Sequence, residues 1–90
     1  YTVAGDPDLE LSEKIIEEII NSGADIIEIG VPFSDPMSEG PVIQLAHERS
    51  LKNKTSLPET FLISNRLKKK FNNKTIVLMG YFNTFINYLN

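Results

Sequence analysis

Apolar and polar positions along the chain alternate between a helical period of about 3.6 residues and a strand period of about 2. Leu11, Ile15, Ile16, Ile19 and Ile20 fall on one helical stripe, while Glu10, Glu13, Lys14, Glu17 and Glu18 face away from it. This predicts a first helix that begins at Asp6-Pro7, with a side-chain acceptor at the N-cap and a pre-set φ behind it. Asn21-Ser22-Gly23 is its stop. Residues 24–30, ADIIEIG, then read as a strand, with Ile26, Glu28 and Gly30 on one face and Ile27 and Ile29 on the other. Both faces are largely apolar, as in a parallel strand covered on both sides. Thr2 to Ala4 reads as the tail of an earlier strand. Pro32, Pro36 and Pro41 exclude regular helix or central strand between Val31 and Pro41. A second helix is predicted from Gly40-Pro41 to about Leu51, burying Val42, Leu45, Ala46 and Arg49. Ser56-Leu57-Pro58-Glu59 fits a capping box that opens a third helix to about Lys70. TIVLMG, residues 75–80, reads as a second fully buried strand, and Asn83 or Thr84 as the start of a further helix.

Strands alternating with helices imply βαβ units and a parallel sheet. An open doubly wound sheet and a (β/α)8 barrel both satisfy that order. No GxGxxG or GxxxxGK[ST] loop follows a strand, which weakens a nucleotide-binding version. The hydrophobic fraction of 41% and charged fraction of 23% are those of a globular chain. A net charge of -3 gives no general pull toward nucleic acid or anionic membrane, and Lys68-Lys69-Lys70 reads as a solvated helix end. The absence of cysteine excludes disulfides and thiolate metal sites, and a single histidine excludes a histidine-rich one. That residue, His47, reads as an exposed or half-buried helix position. No run approaches the ~20 apolar residues that span a bilayer. Tyr1 opens the chain without Met and Tyr88-Leu89-Asn90 ends it mid-pattern, so a piece of a longer chain is expected.

Parallel α/β folds carry their sites at the carboxyl ends of the strands. Glu28 stands two residues before such an end. A carboxylate against apolar walls has its charged form disfavoured, which moves it toward the range useful for proton transfer. A structural ion pair with a Lys or Arg explains a strand Glu equally well. Glu39, on the following loop, would complete a two-carboxylate arrangement, and equally suits the helix start behind it. Asp35, in Ser34-Asp35-Pro36, is an ordinary turn-former as well as a candidate contact.

Gly5-Asp6-Pro7, Gly23-Ala24-Asp25, EIGVPFSDP from Glu28 to Pro36, Gly40-Pro41-Val42-Ile43-Gln44 and Leu78-Met79-Gly80-Tyr81 follow one another in order. Together they resemble the N-terminal third of the tryptophan synthase alpha chain family, over essentially the whole chain. EIGVPFSDP is the specific block; GDP alone would be weak. The resemblance implies a single-domain (β/α)8 barrel of ~250 residues, with residues 1–90 as its first three or so βα units. It implies retro-aldol cleavage of indole-3-glycerol phosphate to indole and glyceraldehyde 3-phosphate. Glu28 would be the catalytic acid/base, and Glu39 would stand where the family has an Asp that stabilises the indole nitrogen. Tyr1 and Leu78 would contact the indole ring, and Asp35 and Pro36 would meet a beta chain in a heterotetramer. No cofactor is implied in this chain; pyridoxal phosphate would belong to the beta chain. The setting implied is the cytoplasm, or a plastid in a photosynthetic eukaryote.

Two departures bear on this. Glu39 in place of Asp adds a methylene of reach, and a misplacement of about 1 Å can cost ~10²-fold in rate. Thr84 stands where the family usually has Pro. The alternatives are an alpha-like regulator of the beta chain with weakened cleavage, and another phosphate-binding barrel that shares only the architecture. The 90-residue chain alone, with unpaired sheet edges, is expected to be inactive and to misassemble.

Overall fold

Strand β1 (Thr2–Val3), helix α1 (Leu9–Asn21), strand β2 (Ile26–Gly30), helices α2 (Pro41–Lys52) and α3 (Leu57–Lys70) and strand β3 (Thr75–Met79) follow one another in a computed structural model that describes residues 1–33 and 40–81. The element order is the expected one; the helix expected from Asn83 or Thr84 lies outside the described residues. The three strands are parallel in the order β1-β2-β3, with Thr2 beside Ile29, Val3 beside Gly30, Glu28 beside Val77 and Gly30 beside Met79.

One face of this sheet holds the core. Ile16 and Ile20 of α1, Ile63 and Leu67 of α3, and Ala4, Ile27 and Ile29 of the sheet segments form a single buried cluster, with Ile76 and Leu78 packed against it. The opposite face is open: Ile26 is 63% and Met79 45% exposed, and Glu28 and Val77 are exposed between them. Strands covered on both faces were expected, and the structure corrects this because α1 and α3 lie on the same side. Strands added in sequence with their helices on one side follow the winding of a barrel, whose inner face is filled from strands across the ring. A doubly wound sheet places helices on both faces.

Local chemistry changed the start of one helix and the buried face of another. α1 starts at Leu9, capped by Asp8, whose carboxylate accepts the Leu11 N–H at 2.8 Å. Asp6 does not cap it, because its carboxylate instead takes Arg49 Nε at 2.6 Å and the terminal guanidinium nitrogen at 3.0 Å. That bond raises the Arg49 pKa above its ordinary value. α2 buries Ala46, His47 and Ser50 rather than Val42 and Leu45, which are 75% and 52% exposed. It packs against β1 and the loop that follows, not into the apolar cluster. There the Asn53 amide donates to the Gly5 and Pro7 carbonyls, and Thr55 sits against Gly5. α3 is therefore the helix that crosses over between β2 and β3. It is tied to α1 by Arg66–Glu13 at 2.5 Å and Lys70–Glu17 at 3.1 Å.

The predicted capping box opens α3: the Glu59 carboxylate accepts the Ser56 backbone N–H at 2.9 Å and also the Ser56 hydroxyl. The hydroxyl bond, above all, holds the Glu59 carboxyl below its usual range. A carboxyl with a lower pKa folded than unfolded stabilises the fold above its unfolded pKa, and that gain is lost as pH falls through the folded pKa. Acidification below the unfolded value of ~4.3 is thus expected to loosen the start of α3. Thermal melts of the full-length protein should show a smaller acid-induced loss in Glu59→Gln than in the wild type.

Candidate active site

At the carboxyl end of β2 the chain leaves the sheet through Val31, whose N–H makes a last ladder bond to the Met79 carbonyl at 2.8 Å. Parallel register fixes which side chains share a face: Val3 of β1 and Tyr1 just ahead of it, Glu28 and Gly30 of β2, and Val77 and Met79 of β3 alternate onto the face opposite the core. Glu28 is exposed there, and among the described residues no cation lies within ion-pair distance of it. Neither a structural ion pair nor full apolar enclosure is formed by the described residues. Three strands supply only part of an apolar wall, through Ile26, Val77 and Met79 on the same face.

Tyr1 shares that face and fills the space above Gly30. A Cβ built on Gly30 would overlap the Tyr1 phenol oxygen and lie 2.7 Å from Cζ. The missing side chain at position 30 therefore makes room for an aromatic wall beside the strand end. Leu78 does not belong to this wall. It pairs with Ile29 and packs toward the helices, on the face opposite Glu28. The residue of β3 that stands on the Glu28 face at the same end is Met79. Leu78 is the position that the family resemblance implies, and the register of β3 sets it on the helix-side face.

Two aromatic contacts extend the site. The rings of Phe33 and Tyr81 stack with centroids 4.7 Å apart and planes 25° from parallel, joining the segments that follow β2 and β3. His47 of α2 is 1% exposed, and so fully buried rather than the exposed or half-buried position expected from sequence. Its Nδ1 accepts the Phe33 N–H at 2.9 Å, and its Nε2 lies 3.4 Å from the Tyr1 phenol oxygen. The available signal was the run of small and polar residues Ala46, His47 and Ser50 on one helical stripe, which suits packing on loop backbone better than on a core. Glu39, Asp35 and Pro36 lie outside the described residues, between Phe33 and Gly40.

Among the described residues no group of three or more His, Cys, Asp or Glu side chains could hold a metal ion, and no helix is long and apolar enough to cross a membrane. A carboxylate on the open face, an aromatic ring over the strand end and apolar residues beside them form a surface fitted to a flat apolar substrate and a proton transfer.

The chain matches the family model described as "Tryptophan synthase alpha chain" over residues 1–90. It is 50% identical to the tryptophan synthase alpha chain of Citrifermentans bemidjiense over 88 residues, covering 98% of this chain and 33% of that one. It is 47% identical to that of Petrotoga mobilis over 88 residues, covering 98% and 34%. Among solved structures, tryptophan synthase subunit alpha from Legionella pneumophila superposes with a TM-score of 0.93 at 41% identity, covering 98% of this chain and 34% of that one. The aminoacrylate-bound tryptophan synthase of Mycobacterium tuberculosis gives 0.90 at 33% identity, covering 98% and 35%. The chain thus spans about a third of the length of the curated relatives it matches.

Proposed function

The chain belongs to the tryptophan synthase alpha chain family, and we propose that it is the N-terminal third of a single-domain (β/α)8 lyase that cleaves indole-3-glycerol phosphate to indole and glyceraldehyde 3-phosphate. The observation that carries this reading is the position of Glu28, on the inner face near the carboxyl end of β2, in a chain that matches the family along its whole length. In the proposed reaction the bond between indole C3 and the first glycerol carbon breaks. Its electron pair stays on C3 and takes up a proton, while the hydroxyl on the departing carbon gives up its proton and becomes the aldehyde. Glu28 is suited to both transfers, since a carboxyl that donates one proton is left able to accept the other.

Glu39 would hold the ring nitrogen as positive charge develops on it. Tyr1 and, on the geometry of the β3 face, Met79 would flank the ring in place of the expected pair of Tyr1 and Leu78. Asp35 and Pro36 would contact the beta chain, which would carry the pyridoxal phosphate of the complex; the alpha chain would use no cofactor of its own. The described residues supply three strands with an open inner face, so the 90-residue chain alone would be inactive.

The test is indole release from indole-3-glycerol phosphate by the full-length protein, assayed with and without its beta chain. Release that the beta chain stimulates is expected. No release in either case would remove the lyase assignment; a beta chain that is nonetheless activated on mixing would point to a regulator weakened at Glu39.

A further inference from the structure

We propose that His47 is a positioning residue for the cleavage proposed above, seating both the aromatic wall at Tyr1 and the Phe33 backbone just beyond the Glu28 strand; it rests on that functional reading. A buried imidazole needs partners for its nitrogens. Here the partners come from two other segments: the Phe33 N–H at 2.9 Å from Nδ1 and the Tyr1 phenol oxygen at 3.4 Å from Nε2. Phe33 N–H follows Pro32 and the last ladder bond at Val31, so the sheet provides it no acceptor and α2 does. Because Nδ1 accepts a hydrogen bond it carries no proton, which places the ring proton on Nε2, facing Tyr1.

One ring thereby fixes three points around the site. Tyr1 is held over Gly30 on the Glu28 face. Phe33, five residues after Glu28, is fixed at its backbone. α2 itself is locked against β1 and its loop by Arg49–Asp6 and by the Asn53 amide, so His47 is anchored to a braced helix. A leucine at position 47 would fill the same space but offer Phe33 no acceptor and Tyr1 no donor.

Two substitutions separate the two bonds. In His47→Asn the side-chain oxygen takes the place of Nδ1 and keeps the Phe33 bond, but does not reach Tyr1. In His47→Gln the terminal amide takes the place of Nε2 and keeps the Tyr1 bond, but leaves Phe33 without its acceptor. Steady-state cleavage by the full-length protein with its beta chain should show His47→Asn raising KM about 2- to 10-fold, the range of one lost hydrogen bond, with kcat within about 2-fold. His47→Gln should instead lower kcat by about 10- to 100-fold, as expected when the segment that carries Glu28 shifts by up to 1 Å. His47→Ala should combine the two. Unchanged kcat and KM in all three, or losses that simply follow a falling Tm, would overturn the proposal. A readout independent of the variants is the imidazole nitrogen NMR spectrum of the folded wild type, which should show Nε2–H and an unprotonated Nδ1; the opposite tautomer overturns it. A wild type that releases no indole removes the functional reading and this proposal together, whereas an active wild type indifferent to His47 removes only the latter.

Discussion

Glu28→Gln in the full-length protein is expected to lower indole release by about 10²- to 10⁴-fold, the usual share of a general acid–base group. Glutamine keeps the volume and the hydrogen-bonding reach of glutamate but cannot exchange a proton at neutral pH. Among the described residues Glu28 makes no ion pair, so the packing of β1, β2, β3 and their helices does not depend on its charge. The folding free energy should accordingly change by no more than about 0.5 kcal/mol, the range of substitutions that remove no packing or pairing partner, and binding of the beta chain should persist. Retained activity would mean that the proton moves elsewhere; a large fall in Tm would mean that Glu28 is structural. The contrast with Tm therefore carries as much weight as the rate.

The largest effect on stability is expected from Gly5→Ala. Gly5 closes the turn after β1 at a φ of +82°, where a side chain is strained, and its N–H donates to the buried Ser12 hydroxyl at 3.0 Å. A Cβ there would overlap Thr55 Oγ1 and lie 2.7 Å from Thr55 Cβ, and Thr55 is 1% exposed. Left-handed strain of about 1–3 kcal/mol and overpacking of about 1–3 kcal/mol both apply. A loss near 3 kcal/mol lowers the Tm of a domain of ~250 residues by about 6–12 °C. Gly23→Ala is the control: its φ is +115°, but nothing lies within 4 Å of the added carbon. It should cost only the strain. Thermal melts of the full-length variants decide this, and equal shifts for both would contradict the packing of the α2–α3 turn on Gly5.

The contrast between these sites also marks how far the sequence is readable. Strand parity in IIEIG put Glu28 and Gly30 on one face without any structure, because a polar residue and a glycine break the apolar run. In TIVLM nothing breaks it, so its facing was not legible, and Leu78 came from the family resemblance alone. The helix starts followed the same logic. Ser56 and Glu59 are adjacent partners and could be read directly, whereas Asp6 is drawn away from α1 by Arg49, forty-three residues on. α2 stands where it was expected, but its buried face differs for a related reason. Its buried stripe is set by carbonyls and a carboxylate of the β1–α1 loop, so a helix that packs on backbone buries Ala46, His47 and Ser50 and leaves Val42 and Leu45 outside. Local chemistry and period were legible; the identity of the surface each helix meets was not. Glu39, Asp35 and Pro36 lie outside the described residues, so their roles rest on the family resemblance.

The most direct measurement is a crystal structure of the full-length protein with indole-3-glycerol phosphate or an unreactive analogue bound. The indole ring should lie between Tyr1 and Met79, with the Glu28 carboxylate about 3–3.5 Å from C3, the separation of a reacting pair. A ring bound against Leu78 on the helix side, or a Glu28 turned away into an ion pair with a side chain from the rest of the barrel, would contradict it.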